Sequence, residues 1–177
     1  MDLIIRREEE SDFLAISELI KRAFENEEMS DHQEQFLVDR LRLSKGFIPD
    51  LALIAQIEER IVGYILLTKV EILSINGTKH PILALAPVAV LPEFHGQGIG
   101  SQLVNFAHQR AQELGYESVV LLGHEDYYPR FGYRKARDFD IKLPFDVPDE
   151  NCMVIELIPN ALKGVSGIVQ YPSEFYE

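Results

Sequence analysis

A mixed α/β (α+β) fold, with a mostly antiparallel sheet, one parallel strand neighbour and flanking helices, is predicted from three observations. Strand-type residues dominate from Leu51 to Val90 with turn signals between them, a three- and four-step apolar pattern runs from Ile99 to Leu114, and a short apolar run, Ser118 to Leu122, follows. Short turns join antiparallel strands, whereas a strand reached through a helix returns as a parallel neighbour.

At the N-terminus, Leu3, Ile4 and Ile5 read as a strand. Ser11 or Asp12 is placed to cap a helix whose apolar face is Phe13, Ile16, Leu19, Ile20, Ala23 and Phe24. Ser30 and Gln33 form a capping-box pattern before a second helix carrying Phe36, Leu37, Val38 and Leu41. The link Glu25 to Asp31 holds four acidic residues and is expected to face water, with a role toward a substrate as the alternative. LALIAQ from Leu51, a turn at Glu58 to Arg60, and IVGYILLTKVEI then predict two strands. Asn76-Gly77 signals a two-residue hairpin into a strand from Pro81 to Val90. Pro87 within that strand predicts a bulge or an edge, because proline removes a ladder donor.

The chain is organised around Ala86 to Leu114. Gly96, Gly98 and Gly100 alternate with Gln97 and Ile99, so the backbone can turn tightly just where a helix leaves its first N–H groups unpaired. With the positive end of the helix dipole, this predicts an anion site; a plain flexible turn is the alternative. The helix buries Ile99, Leu103, Phe106, Ala107, Ala111 and Leu114 on this reading and stops at Gly115. No lysine follows the glycines, which excludes a Walker loop, and Ser101 stands where a dinucleotide fingerprint needs its third glycine. Beyond Leu122, Glu125 to Arg130 reads as a short helix or turn, and Tyr133 to Arg137 and Cys152 to Leu157 as strands joined by a loop marked by Pro144 and Pro148. The tail from Pro159 has no assignable element. Without repeats or linkers, residues 1–177 are expected to form a single domain.

Composition narrows the function. Hydrophobic residues make up 46% and charged residues 26%, a globular balance that does not suggest disorder. With 29 acidic against 17 basic residues and a net charge of -12, a nucleic-acid partner is disfavoured and a cationic substrate is compatible. The lone cysteine, Cys152, is expected in the core and fits a reducing cytoplasm. No signal-peptide pattern or membrane-length apolar run is present, so a cytoplasmic protein without a membrane partner is expected. His32, His80 and His108 lack metal-ligand spacing, and no metal is expected.

Two segments carry a family resemblance. VAVLPEFHGQGIGSQLV resembles the acetyl-CoA signature of the GCN5-related N-acetyltransferases (GNAT), in which Gln or Arg, two residues, Gly, one residue, and Gly or Ala follow a strand ending Val-x-Pro. Gly98 and Gly100 are its glycines, and His95 stands where Gln or Arg is usual. Downstream, DYYPRFGY resembles the family's YxxxGF segment, with Tyr128 and Gly132 at the fixed points and Tyr133 in place of Phe. GHEDYYPRFGY, PDENCMVIEL and GVSGIVQYP are similar to the bacterial YhbS-like branch, so the resemblance spans nearly the whole chain.

The resemblance implies a twisted sheet with a central splayed parallel pair, acetyl-CoA as cosubstrate, and direct transfer to a primary amine, on a small molecule or a protein. Cofactor contacts would fall on Val88, Ala89, Val90, His95, Gly96, Gln97, Gly98, Ile99, Gly100 and Ser101. Tyr128 is the candidate general acid, against a reading as an aromatic anchor beside Phe131. His124, Glu125 and Glu93 are candidate bases. A monomer or homodimer is expected. The rival expectation is an acyl-CoA-binding sensor or partner module without turnover, and a nicotinamide dehydrogenase would require a mainly parallel sheet.

Overall fold

The computed structural model describes residues 2–177. The elements are β1 (Leu3–Arg7), α1 (Phe13–Ala23), α2 (Glu34–Arg42), β2 (Phe47–Ile57), β3 (Arg60–Leu73), β4 (Lys79–Val90) and α3 (Ile99–Glu113). They continue with β5 (Ser118–Leu122), β6 (Arg134–Lys135), β7 (Ile141–Lys142), β8 (Cys152–Glu156) and β9 (Gly167–Gln170). The sheet runs β1-β2-β3-β4-β5-β8-β6, and β9 pairs with both β3 and β7. Pairing is antiparallel except for β4 with β5 and β7 with β9, so the predicted meander and parallel neighbour are both present.

Two apolar layers cover the sheet, and side-chain alternation sends each strand into both. Leu83 and Leu85 of β4, Val119 and Leu121 of β5, and Met153 of β8 pack in the layer that holds α1, α2 and α3. Ile82, Ala84, Val120, Val154 and Cys152 pack on the other face with Ile141 and Val169. Cys152 is thus a core residue, as its type suggested.

Local signals misplace several details where a distant residue intervenes. Asp12 does not cap α1: its carboxylate accepts the backbone N–H of Glu9 and is gripped by Arg6 at 2.8 Å. Ser30 and Gln33 make no capping box, because the Ser30 hydroxyl donates to Glu34 Oε2 at 2.5 Å. The Asn76-Gly77 connection is a longer loop. Ser74 N–H donates to Thr78 C=O, with Gly77 at φ +87, which is the three-residue loop with a left-handed glycine rather than the two-residue turn. Phe36 of α2 stands exposed; in α3, Ile99, Leu103, Ala107 and Ala111 are buried as expected, but Phe106 and Leu114 are exposed and Val104 is buried instead. The strand expected from Tyr133 to Arg137 is only β6, replaced from Ala136 by a 3-10 turn.

The tail that resisted assignment forms β9. β3 is paired with β2 as far as Thr68, and β9 takes up the same edge from Glu71 to Leu73. Gly167 at φ +140 permits this approach, since a Cβ there would collide with the Leu73 carbonyl.

Candidate active site

The splayed strands form the cleft. β4 and β5 pair only through Leu83↔Val119 and Ala84↔Val120. A register shift opposite Leu66 then accommodates Ala86 and Pro87, the predicted bulge, and β4 runs on to Val90 without β5. Leu91 N–H donates to Val62 C=O at 2.9 Å, so by strand alternation Ala89 turns its main chain to β3 while Val88 and Val90 face the opening. Ala89 therefore has no free backbone group for a ligand. The Val90 carbonyl is also engaged, by Nε2–H of His95 at 2.8 Å. His95 thus fastens the end of β4 to the glycine turn, a job no local motif announces.

The glycine turn has the geometry expected of an anion cradle. Gly98 caps α3 at φ +78, a left-handed conformation costly for other residues. The first bond into the helix is Gln102 N–H to Gly98 C=O, which leaves the N–H groups of Ile99, Gly100 and Ser101 without acceptors among the described residues. Gly96, Gly98, Ile99, Gly100, Ser101 and His95 line a cavity of about 700 Å³ that continues along Val88, Ala89 and Val90; Gln97 lies outside it. Unpaired donors at a helix N-terminus, beside an open strand edge, suit a phosphate-bearing ligand with an amide-containing arm.

Tyr128 lines the same cavity from the start of a 3-10 turn, Tyr128–Phe131. Its ring packs edge-on to Tyr127 and Tyr133, with centroids at 5.0 and 5.7 Å, and the residue is 8% exposed. The hydroxyl has no hydrogen-bond partner among the described residues, and burial raises the phenol above its ordinary range. Both proposed roles, anchor and hydroxyl donor, are thus physically compatible here. Behind it, the Tyr133 hydroxyl shares a 2.7 Å hydrogen bond with His108 Nε2, and burial lowers His108 to about 4, so this imidazole is neutral at pH 7. Arg130, which no motif position singled out, donates to the Tyr127 carbonyl at 2.8 Å, stacks on the Tyr127 ring and brings a positive charge to the cavity wall.

The three candidate bases separate. His124 lines the cavity, and its Nε2 is 3.5 Å from Glu27 Oε1. Glu125 faces a different, polar depression with Arg134, Lys135 and Arg137. Glu93 lies outside the cavity, bound to Arg22 at 2.9 Å and Arg60 at 2.5 Å; its own backbone N–H and these guanidiniums hold its carboxyl below the usual range. The acidic link is not simply a solvated connector, since Glu27, Met29 and Ser30 wall the cavity with Phe24, Glu34 and Leu37. Among the described residues, no cluster of three or more His, Cys, Asp or Glu could hold a metal ion, and no helix is long and apolar enough to cross a membrane.

Comparison with known proteins agrees with this geometry. A family model described as acetyltransferase (GNAT) domain matches residues 4–136. The N-acetyltransferase YhbS of Escherichia coli strain K12, itself uncharacterised, is 33% identical over 174 residues, covering 98% of both chains. The crystal structure of Escherichia coli YhbS in complex with CoA superposes with a TM-score of 0.88 at 31% identity, covering 99% of this chain and 92% of that one. A GNAT-family acetyltransferase from Brucella melitensis in complex with acetyl-CoA gives a TM-score of 0.80 at 28% identity, covering 98% of each. With the splayed strands, the glycine cradle and matches of this extent, the chain belongs to the GNAT family of acetyltransferases.

Proposed function

We propose that this chain binds acetyl-CoA and transfers its acetyl group directly to a primary amine. The observation that carries the reading is the Tyr128 hydroxyl, unpartnered and on the same cavity as the open β4 edge and the α3 cradle. The complexes of the two relatives with CoA and acetyl-CoA support the choice of cosubstrate.

Acetyl-CoA, when bound, supplies a thioester whose acyl carbon accepts the amine and whose sulfur departs as a thiolate. The unpaired N–H groups of Ile99, Gly100 and Ser101 would hold the pyrophosphate, with Gly96 and Gly98 shaping the turn. Val88, through both main-chain groups, and Val90, through its N–H, would hold the pantetheine arm as an added strand. His95 keeps the Val90 carbonyl occupied, so the arm receives a donor there rather than an acceptor.

His124 would take the proton from the incoming ammonium, with Glu27 orienting its ring. One N–C bond forms, one C–S bond breaks, and Tyr128 gives its proton to the leaving sulfur. Tyr128 is protonated at neutral pH, and its hydroxyl, without a partner among the described residues, is free to donate. The acylated nitrogen then sheds its second proton, which restores Tyr128 through solvent, and His124 returns its proton to solvent after product release.

Tyr128→Phe tests the assignment. Thiol release with a panel of primary amines should fall about 100-fold in kcat, while calorimetric acetyl-CoA affinity stays within about threefold. Unchanged kcat would remove Tyr128 from the reaction. Tight acetyl-CoA binding by the unaltered protein, with no thiol release across the panel, would replace the enzyme by a binding module.

A further inference from the structure

The cavity has a half that the cofactor contacts leave unexplained. Part of its wall is the end of α1, the acidic link and the first turn of α2. Glu34, the first residue of α2, has a carboxylate oxygen, Oε1, that is buried and has no hydrogen-bond partner among the described residues. Its other oxygen accepts from the Ser30 hydroxyl, which itself accepts the His32 backbone N–H at 2.9 Å. The carboxylate is therefore held by Ser30 with its second oxygen unpaired and shielded from solvent. A buried unsatisfied acceptor destabilises a fold, more so when charged. Position at a helix N-terminus nevertheless favours the anion.

The surroundings say what would complete it. Glu27 adds a second carboxylate to this wall, and Phe24, Met29 and Leu37 add apolar surface. No ion pair reaches Glu34 among the described residues, and the guanidinium on the cavity wall, Arg130, belongs to the turn that carries Tyr128. The cavity thus joins anion-binding groups on the glycine turn to carboxylates on the segment that runs from α1 into α2.

We propose that Glu34 selects the acceptor, which is an amine carrying a second cationic centre across a short apolar chain. This inference rests on the acetyl-transfer reading. A carboxylate favours the protonated form of an amine, whereas the attacking nitrogen must be neutral. The nitrogen seated on Glu34 is therefore not the one acetylated. It anchors the substrate while the other nitrogen, along the Phe24, Met29 and Leu37 wall, loses its proton and attacks. Two nitrogens with different environments are required, which separates this class from simple monoamines.

The test compares 1,4-diaminobutane, n-butylamine and 4-amino-1-butanol in thiol release with acetyl-CoA. The diamine should show at least about a tenfold higher kcat/KM than either single-charge analogue. Glu34→Gln should raise its KM about tenfold or more, with kcat at saturation changed less than about threefold, and should erase the preference. The variant should keep or raise Tm, because it removes an unpaired buried charge. Equal kcat/KM for the three amines would overturn the proposal. So would a Glu34→Gln loss confined to kcat, which would make Glu34 a proton acceptor instead. Calorimetric binding of 1,4-diaminobutane to the CoA-loaded protein separates the two readings: binding that is lost in Glu34→Gln without turnover in the parent protein supports the site while acetyl transfer fails. Equal binding to both proteins would sink the site itself.

Discussion

Replacing Gly123 by alanine perturbs Tyr128 without touching its chemistry. An added Cβ would stand 2.9 Å from Cδ2 of the Tyr128 ring and nearer still to Cε2. Carbon atoms rest about 3.5–4.0 Å apart, so ring and methyl must separate by roughly 1 Å. The backbone cannot supply that movement freely. Gly123 N–H donates to Asn151 C=O at 2.9 Å, and Asn151 Nδ2 donates back to the Gly123 carbonyl at 3.0 Å. The displacement therefore falls on Tyr128, whose ring is wedged between Tyr127 and Tyr133. A misplacement of about 1 Å in a reacting group costs on the order of 100-fold in rate, and overpacking costs about 1–3 kcal/mol of stability. Thiol release with the best acceptor should thus drop about 100-fold in kcat, with acetyl-CoA affinity preserved within several-fold. In a Tyr128→Phe background the same substitution should add little to the kinetic loss, since the displaced hydroxyl is already gone. Fully multiplicative effects of the two changes, or a Gly123→Ala enzyme within about threefold of the parent, would refute positional control of Tyr128.

Two further predictions concern the scaffold. Burial lowers His108 to about 4, while an unfolded chain binds that proton near pH 6.5. The contribution of its neutral form is complete above pH 6.5 and is lost as pH falls toward 4, by up to about 3 kcal/mol; His108→Gln should flatten the fall in Tm between pH 7 and pH 4.5, and parallel profiles would exclude it. The Arg42–Glu8 pair is bidentate at 3.0 and 2.8 Å, and its side chains are 9% and 5% exposed. Glu8→Ala leaves a guanidinium uncompensated and should lower urea-unfolding stability by about 3–5 kcal/mol at unchanged m, whereas a loss below about 1 kcal/mol would mean that Asp39 and the Phe13 ring suffice to hold Arg42.

Much of the site was legible because it is local. The alternation of Gly96, Gly98 and Gly100 ahead of an amphipathic helix specifies a left-handed turn and unpaired N–H groups within a few residues, and the structure has both. Pro87 announces a bulge for an equally local reason, a missing ladder donor. His95 was harder to read, since its role depends on folding back onto Val90 rather than on its place in a motif. Glu93 looked available at the loop entrance until Arg22 and Arg60, 71 and 33 residues away in sequence, closed on its carboxylate.

The sequence by itself determined the strands and helices from β1 to β5 and the glycine cradle, because dihedral preference and side-chain periodicity act over a few residues, while the family resemblance singled out Tyr128. Only the tertiary structure decided which side chains share the cavity. It brought Glu34 and Glu27 into the same cavity as the cradle, sent Glu125 to another depression and laid the C-terminal β9 along β3. Those outcomes depend on where a splayed sheet leaves an edge unpaired and on which distant carboxylates find a guanidinium, and neither is encoded within any one stretch of chain.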